Sequence, residues 1–109
     1  MDRIVRISLL YDFYANLLTE KQKLVYELHY LNDLSINEIA EEQNISPQAV
    51  WDLVKRTEKI LDNYEQKLNL IEKFESQKEK ILQMNCYIDQ HLNTENASQL
   101  KNMLMDIMH

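Results

Sequence analysis

Apolar residues recur at intervals of three and four along almost the whole chain, the spacing that gathers them on one face of an α-helix. Ile4, Ile7, Leu10, Tyr11, Tyr14, Leu17 and Leu18 form the first stripe and predict a helix over residues 2–18. Leu24, Val25, Leu28 and Leu31, flanked by Tyr26 and Tyr30, predict a second over residues 20–31. Thr19 and Gln22 make a capping box at its start, and Asn32 and Asp33 end it. Ile36, Ile39 and Ala40 mark a short third helix behind a second capping box, Ser35 with Glu38. The run Gln43, Asn44, Ile45, Ser46 breaks that helix. Asn44 sits where a tight turn needs a positive φ, which Asn tolerates better than any residue but Gly. Ser46 can cap the next helix, and Pro47 suits its first turn, where a missing N–H costs nothing.

From Pro47 there is no Gly, Pro or turn cluster until Asn93, so a long helix is expected to about residues 72–76. A further helical stretch to about residue 90 either continues it or follows a break. Leu61, Tyr64, Leu68, Ile71 and Phe74 carry the stripe; Ile81, Leu82, Met84, Cys86 and Ile88 resume it less regularly. Thr94 opens a last short helix with Leu100, Met103, Leu104, Ile107 and Met108 on its apolar face, able to dock on a partner or to cap its own chain.

The pattern predicts an all-α protein. Its head is residues 1–60, with a reading unit at 35–56, and residues 61–109 form a helical extension. Leu24, Leu28 and Leu31 are expected to brace the reading unit against Ile39, Ile45 and Val50, each buried side chain contributing about 1.5–3 kcal/mol. The long helix cannot hide its stripe on so small a head alone. It either folds back on the first helix or pairs with a second chain through Leu61, Tyr64, Leu68, Ile71 and Phe74. A homodimer is the preferred expectation, since helix-turn-helix proteins commonly read two half-sites as symmetric dimers.

Packing of Ile45, Val50 and Val54 onto Ile39 and Ala40 would leave Gln48, Trp51, Asp52 and Lys55 on the outer face of the second motif helix. That is the helix-turn-helix arrangement used to enter the DNA major groove. The candidate nucleic-acid-binding residues are Ser46, Gln48, Ala49, Trp51, Asp52, Lys55 and Arg56. Gln48 can read an adenine edge with an amide that both donates and accepts; Lys55 and Arg56 suit phosphate or guanine. Asp52 can only accept, from cytosine, or serve as a repulsive discriminator. Trp51 suits a thymine methyl group, a sugar or another chain.

The stretch LSINEIAEEQNISPQAVWDLVKRTEKIL resembles the DNA-reading region four of bacterial sigma factors. With YDFYANLLTEKQKLVYELHYLNDLS before it and the acidic–basic helix after it, the chain is similar to the YlxM family of small bacterial helix-turn-helix proteins. The likeness runs from about residue 9 to about residue 75. It implies an all-α protein without enzymatic activity. It also implies a regulatory or accessory role in the signal recognition particle pathway, a role inferred from gene neighbourhood.

Composition narrows the chemistry. The absence of glycine rules out P-loops, dinucleotide fingerprints and serine-hydrolase elbows, which all need it. One cysteine, Cys86, excludes an internal disulfide and a cysteine-based zinc site. His29, His91 and His109 have no metal-ligand spacing, so no cofactor, metal or small-molecule substrate is expected. No secretory signal or apolar run long enough for a membrane span is present, and a cytoplasmic location is expected.

The net charge of −6 argues against strong non-specific DNA binding. Local charge softens this: over residues 47–60, Lys55, Arg56 and Lys59 outnumber Asp52 and Glu58. Arg3 and Arg6 are further candidate phosphate contacts, and Tyr11, Phe13 and Tyr14 form an aromatic cluster better suited to a core than to stacking on bases. Two functions follow. One is a DNA-binding regulator, with signal recognition particle RNA as a second nucleic-acid candidate. The other is a non-catalytic protein-interaction factor of the targeting machinery that has lost DNA binding, favoured by the net charge, Glu41, Glu42 and Trp51. The face occupied by Glu41, Glu42 and Asp52 discriminates between them.

Overall fold

The structure, a computed structural model, describes residues 2–108. Its helices are α1 (Arg3–Tyr14), α2 (Glu20–Tyr26), α3 (Ile36–Gln43), α4 (Pro47–Leu68), α5 (Leu70–His91) and α6 (Thr94–Met108). The described residues contain no strand, so the protein is all-α. They form two compact units, one reaching to Ile71 and one beginning at Glu72. The expected division after residue 60 falls inside α4, whose Leu61 is part of the first unit's core.

The first helix is shorter than its stripe. After Tyr14 the chain tightens into a 3-10 turn, Ala15–Leu17, and leaves it extended at Leu18 (φ −92°, ψ 156°). That exit carries Leu18 into the core and leaves Leu17 exposed. Ile4, at the other end of the stripe, is also exposed.

The Thr19–Gln22 capping box forms, with both reciprocal bonds present. Beyond Tyr26 the helix widens into a π-helical segment, Glu27–Leu31, closed by the Asn32 N–H donating to the Glu27 carbonyl at 3.1 Å. A π turn holds more residues than an α turn, so the buried face rotates along it. The expected brace is corrected at Leu31, inside this segment, and also at Leu24, before it. Leu24 and Leu31 are exposed, while Val25 and Tyr26 are fully buried and Leu28 and Tyr30 pack beside them.

Two cores result. Leu10, Tyr14, Leu18, Tyr26, Leu61 and Ile71 form one, between α1, α2 and the α4–α5 corner. Val25, Ile39, Ala40, Val50 and Val54 form the other, inside the helix-turn-helix. Tyr30 packs against both. The aromatic cluster serves the first core: Tyr11 stacks on Tyr26 with ring centroids 5.9 Å apart, and its hydroxyl donates to Glu27 at 2.8 Å.

The long helix ends at Leu68, earlier than the sequence pattern suggests. Asn69 adopts the left-handed conformation (φ 55°, ψ 33°), and its N–H donates to the Glu65 carbonyl at 2.8 Å, a left-handed C-terminal cap. The break is fixed by tertiary contacts. The Tyr14 hydroxyl accepts from the Leu70 N–H at 3.2 Å, and Glu65 Oε1 accepts from the Ile71 N–H at 3.0 Å. These side chains satisfy N–H groups that the start of α5 would otherwise leave open.

The candidate dimer stripe is divided by this corner. Leu61 and Ile71 are buried in the chain's own core, and Tyr64 stacks on Tyr14 at 5.9 Å. Phe74 is half-buried and Leu68 exposed. Leu61 and Ile71 are thus covered by their own chain, while Tyr64 is half-buried against Tyr14.

In the second unit, Asn93 caps α6 by accepting from the Asn96 N–H at 2.9 Å. Lys101 of α6 pairs with Asp89 of α5. Ile81 and Ile88 are buried, whereas Leu82, Met84, Tyr87, Leu100, Met103 and Ile107 are exposed. Cys86 is exposed, and the His91 ring lies 4.3 Å from that of Tyr87. His109 lies outside the described residues. No helix among the described residues is long and apolar enough to cross a membrane.

Candidate nucleic-acid interface

The reading unit is built from its caps inward. Ser35 and Glu38 exchange both bonds of a capping box, and this holds the Glu38 carboxyl below its ordinary value of 4.5. α3 ends at Asn44 in the left-handed region (φ 57°, ψ 44°). The Asn44 N–H donates to Glu41 at 3.3 Å and the Ile45 N–H to Ala40 at 3.0 Å. This pair of bonds is a Schellman motif, with Ile45 as the apolar residue after the turn. Ser46 Oγ then accepts from the Ala49 N–H at 3.1 Å, and Pro47 occupies the first turn of α4. Val50 and Val54 face Ile39 and Ala40 with no exposed surface.

That burial fixes which side of α4 faces outward. Ser46, Gln48, Ala49, Trp51, Asp52, Lys55 and Arg56 are all exposed. The structure thus brings the sequence candidates together on one continuous turn-and-helix surface. Gln48 Nε2 donates to Asp52 Oδ1 at 3.1 Å, so the amide and carboxylate are already engaged with each other. The Lys55 ammonium lies 4.5 Å from the centre of the Trp51 ring and 3.4 Å from Glu58 Oε2. Such a cation–π contact contributes about 0.5–1 kcal/mol on an exposed surface. It holds Trp51 flat beneath a positive charge.

Glu41 shares a shallow concavity with Asn44, Ile45, Ser46 and Pro47, next to the start of α4. Glu41 and Glu42 together line a second one with Leu34 and Glu38, on the α3 side. Asp52 lies on the outer face itself. Glu58 is half-buried, and desolvation raises its carboxyl above 4.5 against the pull of Arg3. Arg6 pairs with Asp62 at 3.4 Å, and both arginines line a pocket with Ile7, Leu10 and Tyr26. They therefore lie against the chain's own acids, not on a free arm.

One basic residue enters that the sequence pattern does not single out. Lys21, in the first turn of α2, lines a concavity with Ile45, Ala49, Asp52, Leu53 and Arg56. It is 35 positions from Arg56, and no periodicity links the two. His29 is a half-buried structural residue: its Nδ1 is 2.9 Å from the Leu34 carbonyl, which can only accept, so the proton sits on Nδ1.

A capped short helix, a left-handed turn and a second helix with an exposed N-terminal outer face define a helix-turn-helix protein. Comparison with known proteins places it more narrowly. Residues 1–104 match the family described as "Putative helix-turn-helix protein, YlxM / p13 like" (UPF0122). A UPF0122 protein of Halalkalibacterium halodurans is 46% identical over 95 residues, 87% of each chain. One of Shouchella clausii is 48% identical over 84 residues, 77% of each chain. One of Bacillus pumilus is 44% identical over 100 residues, covering 92% of this chain and 91% of its own. The chain belongs to the YlxM/p13-like family.

Proposed function

We propose that this is a DNA-binding regulatory protein in which the first turns of α4 enter a DNA groove. The observation that carries the reading is the exposure of every candidate contact on one face of a capped, Schellman-turned helix pair. Gln48 reaches a base edge, Lys55 and Arg56 engage phosphate or guanine, and Ser46 and Ala49 allow close approach at the helix start. A homodimer would align two such faces with two half-sites. Its pathway, on this reading, is that of the signal recognition particle, a role supported only by the gene-neighbourhood inference that goes with the YlxM resemblance.

A second reading is favoured by a specific observation. Trp51 is 45% exposed beside a carboxylate on a chain of net charge −6, which suits an aromatic anchor for a protein partner in the targeting machinery.

Trp51 fluorescence tests both. The protein is titrated with random duplex DNA, and separately with signal recognition particle RNA, in about 50 mM and about 200 mM salt. A saturable change with DNA that weakens steeply with salt supports the first reading. A change with RNA alone moves the target to RNA. No change with either sinks the recognition-helix assignment and leaves the protein-partner reading.

A further inference from the structure

The outer face of α4 accounts for its cations unevenly. Lys55 lies against Trp51 and Glu58. Arg56 is exposed and lines a concavity with Lys21 of α2. Among the described residues neither Lys21 nor Arg56 makes an ion pair. The concavity has an apolar floor of Ile45, Ala49 and Leu53, and its one acid, Asp52, is engaged by the Gln48 amide. Two unpaired cations from two separate helices thus converge on a small hollow that borders the reading face. A phosphodiester oxygen pair is the ligand this suits. Arg supplies a planar fork of donors and Lys a point charge, and the small Ala49 side chain leaves room for approach.

We infer that Lys21 and Arg56 together seat a single backbone phosphate of the bound DNA, and that this contact positions α4 in the groove. The inference rests on the DNA-binding reading and deepens it. It gives α2 a role in recognition beyond bracing the motif. Phosphate contacts of this kind fix orientation and carry no sequence information.

The test measures DNA affinity of the full chain against salt by Trp51 fluorescence, for the parent protein and for Lys21→Ala, Arg56→Ala and the double variant. Lys67→Ala is the control, since Lys67 lies about 16 Å further along α4 at 1.5 Å per residue. All three positions are exposed, and an unchanged circular dichroism spectrum shows the fold intact. Each single variant is expected to flatten the dependence of log affinity on log salt, neither by more than about one unit. The double variant should lose about one unit in total, because both cations serve the same phosphate. Between about 50 and about 200 mM salt, one lost contact reduces the salt-induced weakening by about 3.5-fold. Slopes equal to the parent's in a parent that binds DNA would overturn the seat and leave DNA binding standing. A loss of two units in the double variant would place the cations on separate phosphates and overturn the shared seat. A parent that does not bind DNA overturns both.

Discussion

The Tyr14 hydroxyl donates to Glu65 Oε1 at 2.6 Å, tying the last residue of α1 to the last turn of α4. The same two groups receive the N–H groups of Leu70 and Ile71, so one buried pair joins α1 to α4 and caps the chain where α5 begins. A carboxylate at a helix start is also favoured by the helix dipole. Tyr14→Phe is expected to destabilise the protein by about 1–3 kcal/mol, because it orphans the Leu70 N–H and strips a donor from a buried carboxylate. Glu65→Ala should cost more than Glu65→Gln, which keeps an acceptor for Ile71. Urea denaturation monitored by circular dichroism ranks the three; equal costs for Ala and Gln at position 65 would refute the cap.

Alkaline pH should unfold the protein early. Burial, then the bond to Glu27, pushes the Tyr11 hydroxyl up from 10.0 to about 12. Tyr14 and Tyr26 are raised in the same direction, chiefly by burial. A folded-state value above the unfolded one means that the native state holds its protons longer. The stabilisation is full below pH 10 and is lost as pH rises through about 12. The measurement is the midpoint of thermal unfolding between pH 9 and 12, where a steady fall is expected from about pH 10 upward. Tyr11→Phe should make that fall shallower.

Asn44 and Asn69 hold left-handed backbone without being glycine. Replacing either with Ala should cost about 1–2 kcal/mol, since a Cβ is disfavoured there and the Asn side chain's local support is lost. Replacing either with Gly should be near neutral. Thermal melts of the four variants decide the matter, and an Ala variant as stable as its Gly counterpart would contradict the assigned φ values.

Ser46→Ala removes the acceptor for the Ala49 N–H at the start of α4. A loss of about 1 kcal/mol is expected. Ser46→Asp should restore most of it, because Asp caps as well as Ser. Hydrogen exchange at Ala49 reports directly, and it should speed up in the Ala variant only.

Asp52→Asn keeps an oxygen for Gln48 while deleting a negative charge from the outer face of α4. If that face meets phosphate, affinity should rise by about fivefold at low salt, the equivalent of about 1 kcal/mol for one charge near 4 Å in a watery setting. Unchanged affinity would show that Asp52 faces away from the bound polymer.

What could be foreseen in the sequence was mostly local. Both capping boxes, the left-handed Asn44 and the Ser46–Pro47 start are written in residues within four positions of one another. The outer face of α4 followed from the burial of Val50 and Val54 one turn apart. Leu31 escapes a strict helical period because the backbone opens into a π turn over Glu27–Leu31 and rotates the face; Leu24, before that turn, is exposed because Val25 and Tyr26 beside it take the buried face. The end of α4 was hidden because Asn69 breaks the helix with help from Tyr14, 55 positions earlier. Lys21 is invisible in the sequence pattern for the same reason: the hollow it shares with Arg56 exists only after folding.

Tyr30 gives the wide turn of Glu27–Leu31 a wider meaning. Its ring touches the core between α1, α2 and α4 and also the core inside the helix-turn-helix. Neither half of the head can loosen without exposing a face of the same aromatic ring. The two cores of the head therefore share a packing residue, and loosening either one uncovers part of a ring that the other packs against.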